Sequence, residues 1–224
     1  IAVMKHIVTV LLLITTALLP LKAQVVINEF SAANLSDLTD DFGEYEDWIE
    51  LYNAGSTAVN LDGYYLSDKM DNPTKWQFPA VSIAANGYLV VFASKRDITT
   101  GTLHANFQLT QTASDEAVVL ADPSGTIIDF YQIYKPNQLN HSTGRITSGA
   151  SQWGVFTNPT PYAANTGAKN GYAPTPDIAP ASGNYAAAQT VTITASDPSV
   201  SIYYTTNGYT PTAASTLYTG PIAV

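Results

Sequence analysis

Between Asp37 and Asp47, six carboxylates fall within eleven residues: Asp37, Asp40, Asp41, Glu44, Glu46 and Asp47, with Gly43 available for a tight turn. Hard oxygen ligands at this density suit calcium, which extracellular modules bind at weak sites of about 10⁻⁴–10⁻³ M. Asp40, Asp41 and Asp47 are the first candidates as ligands, and calcium is the one candidate cofactor. The EF-hand spacing D-x-D-x-D-G is absent, however. A solvated acidic loop that keeps a strand edge soluble accounts for the same residues more simply.

A basis for catalysis is harder to find. Histidine occurs only at positions 6, 104 and 141, the last two in separate stretches that read as loops. There is no G-x-S-x-G elbow, no H-E-x-x-H and no Walker loop. A Ser-His-Asp set can be assembled from so many Ser and Asp residues, but no spacing asks for one. Glu46 and Glu50 offer a carboxylate pair of the kind glycosidases use. Strand alternation puts Glu50 on one face with Trp48 and Tyr52, which favours a structural role. No catalytic residue is therefore assigned, and the residues present are not expected to form an enzyme.

Aromatic side chains are the third source of chemistry, since 14 Tyr and 3 Trp can stack on sugar rings. Trp48, Trp76 and Tyr88 lie in core-like strand patterns. Tyr203 and Tyr204, adjacent on one strand, point to opposite faces, so one is expected buried and the other free. With Tyr209 they are the candidate ligand contacts, a protein or a cell-surface glycan being the candidate partner.

The totals narrow the class. Apolar residues make up 46% of the chain and charged residues 12%, enough for packed cores and unlike a disordered segment. The net charge of −9 repels phosphate backbones and excludes nucleic acid as a partner class. Absence of cysteine removes thiolate zinc sites, thiol nucleophiles, disulfides and a lipid-modified N-terminal cysteine. A cysteine-free exported protein of this size reads as bacterial.

Export is read from the first segment. Met4-Lys5-His6 is a short basic start, Ile7 to Leu19 carries no charge, and Pro20 precedes Leu21-Lys22-Ala23. That order is a signal peptide's, and the apolar stretch falls short of the roughly 20 residues that span a bilayer. Cleavage is expected after Ala23, leaving no membrane span and a secreted or cell-surface protein. Without Lys5 and Lys22, seven basic residues face 18 acidic ones, near −11. Residues 1–23 are thus signal peptide with a few residues upstream, and the chain is read as a fragment of a longer reading frame.

The elements that must position these residues are short strands. Gln24–Phe30 and Asp47–Asn53 read as strands, the second with Ile49 and Leu51 opposite Trp48, Glu50 and Tyr52. Thr57–Leu61 and Gly63–Ser67 flank Asp62-Gly63, and Lys75–Pro79 is edge-like because proline cannot donate to a ladder. Asn86-Gly87 is the strongest hairpin signal, leading into Tyr88–Ala93. Ala117–Ala121 and Thr126–Ile133 flank Asp122-Pro123-Ser124-Gly125, a type I turn by residue type. Residues 166–175 read as a linker, followed by strands at Thr190–Ala195 and Ser201–Thr206, the latter ending on Asn207-Gly208. No stretch after Ala23 sustains a helical period, so the fold class is all-β.

The motif order Asn28-Glu29-Phe30, Asp47 to Asn53, Leu61-Asp62-Gly63-Tyr64, Trp76-Gln77-Phe78-Pro79 and Asn86 to Val91 resembles the lamin tail domain. The resemblance continues through His104-Ala105-Asn106-Phe107, Thr143-Gly144-Arg145 and Pro159-Thr160-Pro161 to Asn165. It implies an immunoglobulin-like β-sandwich over residues 24–165, but not a nuclear lamin, because a signal peptide stands where a coiled-coil rod would. The family usually has glycine where Tyr162 stands, which leaves the exit turn open. Residues 176–224 resemble the chitobiase/β-hexosaminidase C-terminal type of domain through Ser182-Gly183-Asn184-Tyr185, Ile202 to Gly208 and Tyr218 to Ile222. That implies a second, truncated immunoglobulin/fibronectin-like sandwich with Asn207-Gly208 in a type I′ hairpin turn.

Two readings of function share all of these residues. One is a set of non-catalytic binding or spacer modules, with a carbohydrate-binding module as its variant. The other is the accessory front of an exported enzyme, a polysaccharide-acting hydrolase or one ending in a spore-coat-type atypical kinase domain, with its active site beyond Val224. Export itself is directly testable: N-terminal sequencing of secreted material should begin at Gln24, and mature protein beginning at Met4 would contradict a cleaved signal.

Overall fold

The computed structural model describes residues 24–111, 113–134 and 136–224; the expected signal peptide lies outside them. The described residues contain strands and no helix. None of them forms a helix long and apolar enough to cross a membrane. The strands are β1 (Val25–Ser31), β2 (Trp48–Asn53), β3 (Val59–Asn60), β4 (Tyr65–Lys69), β5 (Trp76–Gln77), β6 (Ser82–Ile83), β7 (Tyr88–Phe92), β8 (Leu103–His104), β9 (Glu116–Ala121), β10 (Ile127–Gln132), β11 (Ser142–Arg145) and β12 (Trp153–Phe156). Beyond them lie β13 (Asp177–Ala179), β14 (Thr190–Thr194), β15 (Tyr203–Tyr204), β16 (Thr216–Leu217) and β17 (Ile222–Ala223).

The first twelve strands build two main layers. A six-stranded sheet runs β12-β11-β1-β2-β7-β8 and a four-stranded sheet runs β10-β9-β4-β5. Ile27, Ile49, Leu51 and Val91 from the first share one core with Leu66, Trp76, Val118 and Leu120 from the second. Burial of such side chains, each worth roughly 1.5–3 kcal/mol, is what pays for ordering strands this short. As expected, β5 is an edge strand ahead of Pro79.

One break in alternation shapes everything that follows. Along β1 the core residues are Val25 and Ile27, then Phe30 and Ala32 beyond the strand's end. The pairing with β2 slips between Ile27, opposite Leu51, and Glu29, opposite Glu50. Asn28 is the extra residue of a β-bulge. Asn28 and Glu29 are thereby both kept off the core side, on the outer face that β2 occupies with Trp48, Glu50 and Tyr52. That outer face is itself covered: Trp48, Val90 and Phe92 are buried there with Leu38 packed against them.

Turn chemistry was legible at one site and misread at two. Asp122–Gly125 joins β9 to β10 as expected, with Gly125 N–H donating to Asp122 O at 2.9 Å and Asp122 Oδ1 accepting from the Ser124 and Thr126 amides. Asn86-Gly87 is not a hairpin turn. β6 pairs with β3 whereas β7 pairs with β2, so this turn, closed by Gly87 N–H to Ala84 O, carries the chain from one sheet to another. Asn86 takes the left-handed φ of 54° that the turn needs. Asn207-Gly208 does not form a type I′ turn either. Only Gly208 has positive φ, and β15 pairs with β16 across the whole of residues 205–215.

Residues 176–224 form a thin unit, with sheets β13-β14-β17 and β15-β16. Ile193 is its one buried hydrophobic side chain. Tyr203 and Tyr204 are both half-buried, contrary to the expectation of one buried and one free. β15 pairs only with β16, in a two-stranded sheet too small to enclose either ring fully.

Candidate functional site

Strand register decides what meets the acidic segment. Trp48 lies opposite Phe92, and Ala93 N–H donates to Asp47 O at 2.7 Å. The loop before β2 and the loop after β7 therefore share one end of the sheet. In the second loop Lys95 (φ 64°) and Asp97 (φ 55°) both take left-handed backbone, a strained choice for lysine. Their amides donate to Phe107 O and Ala105 O, and Arg96 between them reaches back to the acids.

Arg96 Nη1 donates to Asp40 Oδ2 at 2.6 Å and lies 3.5 Å from Glu46 Oε1, while Nη2 bonds Glu44. The guanidinium also sits 4.6 Å from the Phe42 ring centre. Asp40 Oδ1 accepts from the amides of Phe42 and Glu44 at 2.9 and 2.8 Å, closing a turn in which Gly43 has φ 78°. A cation from the chain itself thus offsets the mutual repulsion of the carboxylates.

Beside it, His104 is fully buried, stacked on Phe92 at 5.4 Å and edge-on to Phe42 at 5.6 Å. It sits on β8 rather than in a loop. Its Nε2 lies 2.8 Å from Asp41 Oδ1 and its Nδ1 2.8 Å from Ser94 Oγ. The hydrogen bond from His104 holds the Asp41 carboxyl below its ordinary value.

Of the three expected calcium ligands, the structure brings Asp40 and Asp41 together, with His104 as the third group, their ligand atoms within 4.8 Å of one another. Asp47 is not among them. Its carboxyl is withdrawn from solvent and pushed up to about 7, first by burial and then by the charge of Glu46. The donor set fits calcium poorly. Both Asp40 oxygens are engaged, and an imidazole nitrogen stands where calcium takes oxygen.

A second polar cluster was not anticipated. Glu29 and Glu50, partners across β1 and β2, are both fully buried. Glu29 accepts from Ser142 Oγ on β11, from Thr160 N–H at 2.9 Å and from Thr160 Oγ1. Glu50 accepts from Asn28 Nδ2 at 2.9 Å and from Tyr162 N–H. Asn28 Nδ2 also donates to Asn165 Oδ1 at 2.6 Å, and Asn165 Nδ2 donates to Arg145 O at 2.7 Å. A strandless segment, residues 160–165, is thereby pinned to the outer face. Gly144 makes the room: a Cβ there would stand 2.9 Å from Glu29 Cγ and 3.0 Å from Asn28 O. Tyr162 makes the exit turn without glycine, holding φ 64° so that its amide meets Glu50. Glu50 was the suspected partner of Glu46; instead Glu46 faces Arg96 and Glu50 faces Glu29.

One signal lay in the sequence: the broken alternation at Val25, Ile27, Phe30 and Ala32 marks the bulge. The pairing of β2 with β7, which makes the Ser94–Asp97 loop the neighbour of the acids, is long-range and leaves no local mark. The candidate contacts in the second unit are only partly assembled. Tyr203 and Tyr204 line an apolar hollow of about 360 Å³ with Ile178, Val191 and Ile202. Tyr209 lies outside that lining, 75% exposed in the loop after β15.

Burial pushes Glu50 up to about 8, overriding its hydrogen bonds with Asn28 and Tyr162, and it raises Glu29 as well. The folded chain therefore keeps these protons longer than the unfolded chain. Stability that is full below the ordinary value of 4.5 is lost as pH rises toward 8, by about 1.4 kcal/mol per pH unit for one group. Urea midpoints of the full chain should fall between pH 5 and pH 8, and Glu50→Gln should shrink that fall while lowering the midpoint at pH 5. A midpoint that rises over this range, or a fall unchanged by Glu50→Gln, would contradict the assignment.

Residues 20–135 match the family model of the Lamin Tail Domain, and residues 180–224 that of the Chitobiase/beta-hexosaminidase C-terminal domain. No curated protein matches the chain. The six-stranded sheet takes in β11 and β12, beyond the first matched stretch. With more than half its residues matched, the chain belongs to the lamin tail domain family and carries a chitobiase/β-hexosaminidase C-terminal domain behind that module.

Proposed function

We propose that this chain supplies non-catalytic, immunoglobulin-like binding or spacer modules to a secreted or cell-surface protein of bacterial type. The observation that carries the reading is how the polar side chains of the first module are used. Ser94, His104 and Asp41 form a chain of groups that resembles a nucleophile, base and acid. Yet His104 is fully buried under the rings of Phe92 and Phe42, and Ser94 Oγ also accepts the Arg96 amide at 3.4 Å. The set ties the β8 end of the sheet to the acidic loop. Glu29 and Glu50 are likewise spent on backbone and side-chain donors.

Export is supported by the uncharged run Ile7–Leu19 behind Lys5, and the absence of cysteine supports the bacterial reading of an exported chain. The alternative, an accessory front to an exported enzyme, differs only in what adjoins these modules. Incubation of the full chain with a fluorophosphonate probe tests the non-catalytic reading. Ser94 should remain unlabelled, whereas labelling that is lost in both Ser94→Ala and His104→Ala would overturn it.

A further inference from the structure

The stretch that composition reads as a linker, residues 166–175, begins as part of the first module. Val155 of β12 pairs with Thr143 of β11 on one side, and on the other it forms an isolated antiparallel bridge to Lys169. Lys169 N–H donates to Val155 O at 2.8 Å, and Val155 N–H donates to Lys169 O at 2.9 Å. Because β12 is the end strand of the six-stranded sheet, this bridge covers the sheet's outer edge. Gly154 is fitted to it, since a Cβ there would stand 2.6 Å from Lys169 O and 3.2 Å from Ala168 Cβ. Two backbones approach too closely at that point for any larger residue.

A second anchor follows three residues on. Tyr172 stacks on His141 with ring centres 5.7 Å apart, and its hydroxyl lies 3.1 Å from His141 Nδ1. The same hydroxyl accepts the Gln138 N–H at 2.9 Å. His141 is itself tied to β1, its carbonyl accepting from Ser31 Oγ at 2.9 Å. Between the two anchors Gly171 holds φ 149°, a backbone conformation open to glycine. Upstream, Thr160, Tyr162 and Asn165 are already bound to the outer face of the sheet.

We propose that residues 166–172 are a strap docked on the first module, so that the joint between the two modules is only Ala173 to Pro176. β13 of the second unit begins at the next residue, Asp177. Pro174 and Pro176 fix their own φ, and Ala173 and Thr175, each ahead of a proline, are pushed to extended backbone. Four such residues reach roughly 12 Å and bend little. The second unit is thus presented from the β12 edge on a short, stiff mount instead of a free hinge. This specifies the spacer half of the proposed function and rests on that reading. Labelling of Ser94 would remove the non-catalytic reading and leave the strap in place, whereas a loose strap would leave non-catalytic modules on a free hinge, so the two fail separately.

Lys169 makes the test direct, because its side chain is exposed while its backbone is paired. Trypsin takes a lysine only when the surrounding backbone lifts away, so cleavage after Lys169 reports how often the strap opens. In the native full chain that cleavage should be about a hundredfold slower than in a synthetic peptide of residues 160–178. Tyr172→Ala, which removes a ring stack and two polar contacts, should speed it about tenfold and leave the other tryptic sites unchanged. Since the chain has no cysteine, spin labels can be placed at the exposed positions Asn60→Cys and Thr194→Cys, one on each module. Their distance distribution should be narrow, and broader once Tyr172→Ala is added. Cleavage at the peptide's rate, indifference to Tyr172→Ala, an equal speed-up at every tryptic site, or a broad distribution in the parent chain would each overturn the proposal.

Discussion

Two carboxylates buried side by side set the terms for the first module. Glu29 and Glu50 face each other across β1 and β2 on the side of the sheet away from the main core. Buried charge or unmet acceptors there would cost several kcal/mol, so donors must come to them. They come from Ser142, Thr160 and Tyr162, and Asn28 and Asn165 complete the set. Each donor lies far along the chain from its acceptor. The bulge at Asn28, the glycine at 144 and the left-handed backbone of Tyr162 all follow from getting those donors into place. The core proper, built of Ile, Leu, Val and aromatic side chains, requires none of these features.

The same economy governs the acidic loop. Six carboxylates in eleven residues read, in the sequence, either as a solvated loop or as a site for an external cation. Pairing of β2 with β7 brings Arg96 into the middle of them, and His104 meets Asp41 from the adjoining strand. The cluster then works as a clasp between loops at one end of the sheet, with two left-handed residues presenting the arginine.

What was legible in the sequence is what depends on local pattern. Period-two alternation from Trp48 to Tyr52 gave both faces of β2, and Asp122-Pro123-Ser124-Gly125 specified its turn because all its determinants are adjacent. Asn86-Gly87 and Asn207-Gly208 misled for the converse reason. Such a pair fixes only a local bend, and which strands flank it is decided by long-range pairing. Arg96 and Glu29 were invisible as site residues because their partners lie tens of residues away. The tyrosines at 203 and 204, expected on opposite faces with one of them buried, both line the hollow with Ile178 of β13 and Val191 of β14, a meeting of separate sheets that alternation along one strand does not reveal.

The central claim is that a segment without strand structure is held as firmly as a strand by buried carboxylates. Native-state hydrogen exchange of the full chain tests it most directly, because the amides of Thr160 and Tyr162 are the donors in question. The account predicts protection at those two amides comparable to that of Ile49 and Leu51 in β2, with the neighbouring Ala164 amide exchanging faster. Exchange of Thr160 and Tyr162 at the rate of an open loop would contradict it.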